Sequence, residues 1–519
     1  MKKNEVILLT GSDITTDLLW KVATNENCKI QLSDSAILAI KESRNFITEK
    51  QKQQTIYGVN TGFGAFSKIK IPQKDIQQLQ KNLIRSHSAG VGSYFSIAEV
   101  RAIIFLRANA LARGKSGIRV EVVQSLIDFL NHKIYPAIPE QGSVGASGDL
   151  APLSHLALSL IGEGKVLQST TKKTVEEYYF REVTQTQKTE AALKEKNITP
   201  LTLQFKEGLA LINGCQAMTA VGLLNIYKAQ QLIKVMDLAG AMSLEALRGS
   251  RSAFDPIIFQ ERPHYGEAET AKHILNLLGE TSSLAESHKD CLKVQDAYSL
   301  RCLPAVHGAF KQSLNYAQKT LEIEANSSTD NPLVFSKENK ILSCGNFHGE
   351  PVAMALDFLT IATTSLSNIS ERRIAQMINP SMSDLPAFLT SQGGLNSGMM
   401  IVQVAAASLV SENKTQSFPA SVDSIPTSVD KEDHVSMGSI ASRKLRTVIK
   451  NTQQVAAMEL LCACQALDLL KPLSPAAGVL KIYTFIRTIV PYAEQDRNFS
   501  EDIQKIYAHI QNEELLKKL

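Results

Sequence analysis

Gly142, Gly145 and Gly148 recur at intervals of three in GSVGASGDLAPLSH (142–155), and Ala146 and Ser147 fill the last gap. A glycine loop of this kind could cradle phosphate, but it shows neither GxGxxG nor a GK[ST] ending. It could be a nucleophile elbow, but Ser147 is not in GxSxG. It could also be a plain tight turn. A further chemistry fits the residue types better. In an Ala-Ser-Gly triplet the glycine nitrogen can attack the alanine carbonyl carbon, because glycine permits the compressed backbone and adds no side-chain bulk. Loss of water then leaves the serine as a dehydroalanine inside a five-membered ring. Such a group is a strong electrophile, which the unmodified side chains do not supply.

Other chemistry-bearing residues sit in short Gly/Ser/Asn-rich breaks: YGVNTGFGAF (57–66), INGCQAM (212–218), QDAYSLRC (295–302), GNFHGE (345–350) and SIPTSVDKEDHVSMG (424–438). Arg301 offers a planar fork that matches a carboxylate. Asn213 offers an amide, although Asn-Gly is also a common turn pair. Tyr298 and Gln295 lie three apart and would share a face if helical. His348-Gly349-Glu350 matches half of the zinc deaminase signature, but the P-C-x-x-C half is absent. Catalytic zinc is therefore not expected, and His155, His264, His348 and His434 read as structural or as supports behind the residues that touch substrate.

These breaks need a rigid scaffold, and the rest of the chain describes one. At 519 residues, 44% apolar and 20% charged, the chain is no disordered polymer, and ~150 residues per domain sets a soft prior of three or four domains. A net charge of 55 − 51 = +4, with bases and acids interleaved and 6% aromatic residues, argues against a nucleic-acid partner. Seven cysteines without a CxxC pair suit free thiols in a reducing compartment. The apolar stretch Val6 to Leu9 is too short for a signal peptide. The longest uncharged stretch, 385–411, contains Gly393-Gly394 and Asn396 and makes a poor membrane span. The expectation is a soluble cytoplasmic protein with no membrane association. Helical periodicity runs through 216–248, 352–373, 399–413 and 440–471, and Cys462 and Cys464 read as core residues of the last. Strand signals are confined to Glu5–Leu9 and Lys165–Leu167, and the polar stretch 168–200 reads as an exposed excursion. The fold class expected is mainly α: a mixed N-terminal lobe (1–200) carrying the glycine loop, then a long helical bundle (201–519).

GSVGASGDLAPLSH resembles the signature of the ammonia-lyase family that carries the 4-methylideneimidazol-5-one (MIO) group. YGVNTGFG, INGCQAM, QDAYSLRC, GNFHGEP, GLNSG and PASVDSIPTS look like segments of that family in the family's order, from about residue 55 to about residue 470. The resemblance implies the mainly α, fumarase/aspartase-like lyase fold, assembled as a homotetramer with active sites shared between subunits. It implies an MIO group formed autocatalytically from Ala146-Ser147-Gly148, with no metal or diffusible cofactor. It also implies roles: Tyr57 as the base for the β-proton, Arg301 as the carboxylate clamp, Asn213 as a hydrogen-bonding group for the carboxylate or ring carbonyl, Tyr298 and Gln295 as polar support, and Phe347 stacked near the electrophile. Asp149, next to the triplet, is expected to hold the loop in its strained form.

Two places speak to substrate. Members of that family acting on histidine carry Ser-His where this chain has Ser86-His87, whereas tyrosine enzymes often carry His-Leu and phenylalanine enzymes Phe-Leu. They also resemble Lys431-Glu432-Asp433-His434, with a glutamate where the others usually carry glutamine. A carboxylate can accept an imidazole N–H and stabilise its positive charge. Against a phenyl ring the same carboxylate would be buried at a cost. With His87 and Glu432 holding the imidazole, the reaction implied is L-histidine to trans-urocanate and ammonia, the first step of histidine degradation. The alternatives are a tyrosine ammonia-lyase or an aminomutase of the same family and, from another class, a non-catalytic helical scaffold. Cys215, Leu303, Ala305 and Lys431 depart from the family pattern, in which Thr, two glutamines and Gln are common.

Overall fold

The computed structural model describes residues 5–168, 174, 176–291 and 293–518. Helices dominate, as the periodicity predicts. The four expected segments overlap the helices Gln216–Ala246, Glu350–Met377, Met400–Gln416 and Gly438–Leu469, differing by a few residues at the ends. Their ends follow from local chemistry. Gln216–Ala246 starts after the Asn213-Gly214 break, and Glu350–Met377 carries Pro351 in its first turn, where a missing N–H costs nothing. Gly438–Leu469 stops three residues before Pro472, which cannot continue a helix. Cys462 and Cys464 are fully buried, as an all-round apolar helix requires. All seven cysteines are free thiols. Among the described residues one helix, Glu350–Met377, is long and apolar enough to cross a membrane, and 67% of its apolar window is buried within the protein.

The strands form two-stranded ribbons. Val6–Leu9 pairs in parallel with Lys29–Leu32, Val6 opposite Lys29. Val91–Tyr94 pairs antiparallel with Pro139–Gln141, Lys165–Leu167 with Thr186–Lys188, and Leu333–Phe335 with Lys340–Leu342. Strands of three or four residues are too short to show an alternating pattern, so only the two with the strongest apolar content are legible in the sequence. The stretch 168–200 differs from the expected exposed excursion. Residues 169–173 and 175 lie outside the described residues, but Thr186–Lys188 pairs with Lys165–Leu167, and Tyr178, Tyr179 and Leu193 are buried. Phenolic hydroxyls hold this segment in place: Tyr178 donates to Glu26 Oε1 at 2.6 Å, and Tyr179 accepts from the Glu26 N–H at 3.1 Å.

The chain folds into two compact units, each drawn from separated stretches. The first contains Met1–Tyr227, Ala317–Asp357 and Pro419–Arg443, and the second Lys228–Tyr316, Phe358–Phe418 and Lys444–Leu519. Residue 200, the boundary expected from sequence, falls within the first unit. That unit holds the glycine loop, Tyr57, His87, Asn213, Phe347 and Glu432.

The second unit is tied internally by a buried ion pair. Arg373 and Glu459 are both fully buried, with Nε–Oε1 at 2.5 Å and Nη2–Oε2 at 2.9 Å. Ser243 and Ser370 donate to the same carboxylate at 2.6 and 2.5 Å. Removing one partner leaves a buried charge uncompensated, so Arg373→Met is expected to cost about 3–5 kcal/mol, read from the urea unfolding midpoint. A loss below about 1 kcal/mol would show that the pair carries little of the unit's stability.

Candidate active site

The glycine loop links strand Pro139–Gln141 to helix Leu150–Leu160. At its end Gly148 (φ +72°) forms a parallel bridge to Gly214, and the Asp149 N–H donates to Gly214 O at 2.7 Å. A Cβ on Gly148 would lie 2.2 Å from Gly214 O, so only glycine lets the two backbones meet. Asp149 is fully buried, and its Oδ2 accepts the Met218 N–H at 2.8 Å in the first turn of helix Gln216–Ala246. A carboxylate there satisfies orphan helix donors. Burial nevertheless pushes its carboxyl up to about 7, against the lowering effect of the N–H groups of Met218 and Ala217 and the Ser143 hydroxyl.

A second loop lies over the first. Ala146 packs with Val435 and Met437, Met437 N–H donates to Val144 O at 2.8 Å, and Ser436 Oγ donates to Gly145 O at 3.0 Å. In this loop Thr427 and Glu432 exchange backbone hydrogen bonds of 2.9 and 3.2 Å around a tight reversal, where Ser428, Val429 and Asp430 all take left-handed φ. The Thr427 hydroxyl donates to Glu432 Oε2 at 2.6 Å, and Ser147 Oγ donates to Oε1 at 2.8 Å. The glutamate is therefore fixed on one side and engaged with the triplet on the other.

His87 ends helix Ile76–His87, and its Nδ1 lies 2.9 Å from Leu83 O. A carbonyl only accepts, so Nδ1 carries the hydrogen and Nε2 presents a lone pair. Burial lowers the His87 pKa and favours this neutral form, with the Leu83 carbonyl and nearby Glu432 opposing. Tyr57 accepts the Gly64 N–H on its hydroxyl at 3.2 Å and meets the edge of Phe63 at 6.3 Å between ring centres. Asn213 is buried, with Nδ2 donating to Asp330 Oδ1 at 3.3 Å. Cys215 donates its thiol to Phe347 O at 3.0 Å and so fixes that backbone.

Tyr57, His87, the Ala146-Ser147 pair, Asn213, Phe347 and Glu432 line one cavity of about 1220 Å³, with Phe63, Phe66 and Leu209 among its apolar walls. Gln295, Tyr298 and Arg301 are not among the residues of this lining and belong to the second unit. There Tyr298 is 70% exposed, with the Arg301 guanidinium 4.5 Å over its ring and Arg301 Nε donating to Asp296 O at 3.0 Å. The helical face expected for Gln295 and Tyr298 is not present: the helix spans Tyr298–Arg301, and Gln295 precedes it. The rings of His348 and His434 stack at 5.7 Å, and with Glu350 their ligand atoms lie within 4.8 Å of one another, a grouping that could hold a metal ion. Both nitrogens of His348 are already engaged, Nδ1 by the Glu350 N–H and Nε2 by His434 O. Arg107, Lys206 and Asp330, which anchor Asn213 from behind, carry no motif by which sequence reading could single them out.

Residues 14–488 match the sequence profile of the family described as aromatic amino acid lyase. The chain belongs to the aromatic amino acid lyase family. As a member it is a lyase, and its mainly α architecture is that family's fold. The chain is 46% identical over 511 residues to a histidine ammonia-lyase of Myxococcus xanthus, covering 98% of this chain and 97% of that relative. It superposes on the crystal structure of a histidine ammonia-lyase from Trypanosoma cruzi with a TM-score of 0.89 at 41% identity, covering 99% and 94% of the two chains. A tyrosine aminomutase from Streptomyces globisporus gives a TM-score of 0.91 at 37% identity, with 99% and 98% covered.

Asp149 yields a prediction with a defined sign. Its carboxyl holds a proton up to about 7 when folded, against 3.8 for the ordinary group. The folded state therefore binds more protons between these values, and the contribution to stability is full at the acid end and lost as pH rises to about 7. Asp149→Asn cannot ionise, so its urea midpoint is expected to fall less than that of the parent protein between pH 4 and pH 7. Parallel profiles would contradict the assignment.

Proposed function

We propose that this lyase converts L-histidine to trans-urocanate and ammonia by non-oxidative elimination. The observation that carries the reading is the placement of His87 and Glu432 on one cavity with Ser147. The likeness to curated histidine ammonia-lyases supports it.

Ala146-Ser147-Gly148 fit an MIO group. Gly148 has the bare backbone and positive φ that cyclisation needs, Asp149 and Gly214 clamp its far side, and Ala146 is buried against Val435 and Met437. The group would supply an electrophile for the substrate amine, which is otherwise a poor leaving group. Forming it would remove the Ser147 hydroxyl and free Glu432 Oε1, while Thr427 holds Oε2. Glu432 then accepts one N–H of the substrate imidazole. The His87 Nε2 lone pair accepts the other. Two acceptors match a protonated imidazole, in which both nitrogens donate. Tyr57 takes the β-proton, and Asn213 hydrogen-bonds the substrate carboxylate. Gln295, Tyr298 and Arg301 complete the site from another subunit of a homotetramer, with Arg301 clamping the carboxylate. The exposure of Tyr298 supports that assignment. The seven unpaired thiols support a cytoplasmic setting.

The test is an ultraviolet assay of the purified protein with L-histidine, L-tyrosine and L-phenylalanine, beside Ser147→Ala and Gly148→Ala. Urocanate is expected from the parent protein and from neither variant. Coumarate, cinnamate or a β-amino acid would overturn the histidine reading in favour of a tyrosine or phenylalanine lyase or an aminomutase, and no product from any substrate would favour the scaffold. Glu432→Gln keeps the shape but loses the charge-assisted hydrogen bond, and is expected to lower kcat/KM for L-histidine by about 10- to 150-fold. An unchanged value would remove Glu432 from the imidazole site.

A further inference from the structure

Behind the cavity wall that carries Asn213 lies a buried charged array. Asp330 is 1% exposed and Lys206 is fully buried, with Lys206 Nζ donating to Asp330 Oδ2 at 2.6 Å. The other carboxylate oxygen, Oδ1, accepts the Asn331 N–H at 2.7 Å and Asn213 Nδ2 at 3.3 Å. Arg107, also fully buried, donates through Nη1 to the Asn213 carbonyl at 3.0 Å and to Gln216 Oε1. Gln216 in turn donates to Thr329 Oγ1 at 2.7 Å. Asn213 is thus held at its main chain by one charged group and at its side chain by another.

A buried ion pair gains little over apolar residues of the same volume, so stability alone gives no reason for Lys206 and Asp330 to stand there. Burial lowers the pKa of Lys206 and takes Arg107 down to about 10, which marks the expense of holding these cations out of water. What the pair does supply is direction. The two ends of an asparagine amide have nearly the same shape, and only a hydrogen-bond partner decides which way they point. With Lys206 as its donor, Asp330 accepts and does not donate, so Asn213 turns its nitrogen toward Asp330 and its Oδ1 to the opposite side.

We propose that Asp330 is a positioning residue for the elimination: it fixes which end of the Asn213 amide meets the substrate, with Lys206 balancing its charge. Asp330 touches no substrate and acts through Asn213. Asn213 and Ser147 each stand one residue before the Gly148–Gly214 bridge, so a reoriented amide is presented beside the triplet.

The inference rests on the histidine lyase reading, and a double-mutant cycle separates the two. Asp330→Asn and Asn213→Ala, alone and combined, are assayed for kcat/KM with L-histidine and for melting temperature. The cycle is repeated with Lys206→Met/Asp330→Asn in place of Asp330→Asn, a pair that removes both members of the Lys206–Asp330 ion pair together if the single variant does not fold. Asp330→Asn is expected to lower kcat/KM about tenfold, the worth of one hydrogen bond, and to change it less than about twofold once Asn213 is Ala. The melting temperature is expected to respond to Asp330→Asn in both backgrounds. An equal loss of kcat/KM with and without the Asn213 side chain would overturn the proposal, as would no loss at all. Absence of histidine turnover in the parent protein would instead overturn the function on which the inference rests.

Discussion

The site depends on a backbone contact between two glycines. Gly148 and Gly214 meet in a parallel bridge with no room for a Cβ, and the Asp149 N–H closes it onto Gly214 O. That contact sets the end of the Ala-Ser-Gly triplet against the break that starts helix Gln216–Ala246. It brings the Asp149 carboxylate to the first turn of that helix, and it places Asn213 at the cavity wall. Asp149 accepts an unfavourable, fully buried position in return for the N–H groups it holds. A loop kept this tight is what an internal cyclisation requires, because the attacking nitrogen and the carbonyl must be pressed together before any bond forms.

On the proposed reading, electrostatics give the cavity its selectivity. Its apolar walls would take any aromatic ring, since a hydrophobic pocket discriminates poorly between rings of similar size. His87 Nε2 and the Glu432 carboxylate change that by presenting two acceptors, each oriented by a neighbour: Leu83 O fixes the His87 tautomer, and Thr427 holds one glutamate oxygen. A ring without N–H groups would cover both half-buried acceptors and leave them unpaired, and hydrogen bonds unmade at groups taken out of water are costly. The left-handed turn at Ser428 to Asp430 shows how much local strain the fold accepts to bring Glu432 back over the triplet.

Much of this was legible in the sequence, and what was not has physical reasons. The triplet, Tyr57, Asn213, Phe347 and Glu432 could be singled out because each sits in a contiguous glycine- or serine-rich break that resembles a segment of the family, and the structure gathers them with His87 on one cavity. The long helices were legible because their apolar period persists over many turns. The ribbon strands were not, because three residues carry no period. The segment around Tyr178 reads as polar, yet two phenols and a pairing strand bury part of it. The shared face of Gln295 and Tyr298 is absent because a spacing of three means a shared face only inside a helix, and the helix begins at Tyr298. Asp330 and Lys206 are 124 residues apart, and nothing local announces that they pair.

On the proposed reading, the loop geometry serves to make an electrophile out of the chain itself. The most direct measurement is the mass of the proteolytic peptide spanning residues 142–155 from the purified protein. A peptide lighter than its sequence by two waters is expected, with the loss mapped to Ala146-Ser147-Gly148. A peptide of unmodified mass from correctly folded protein would contradict it.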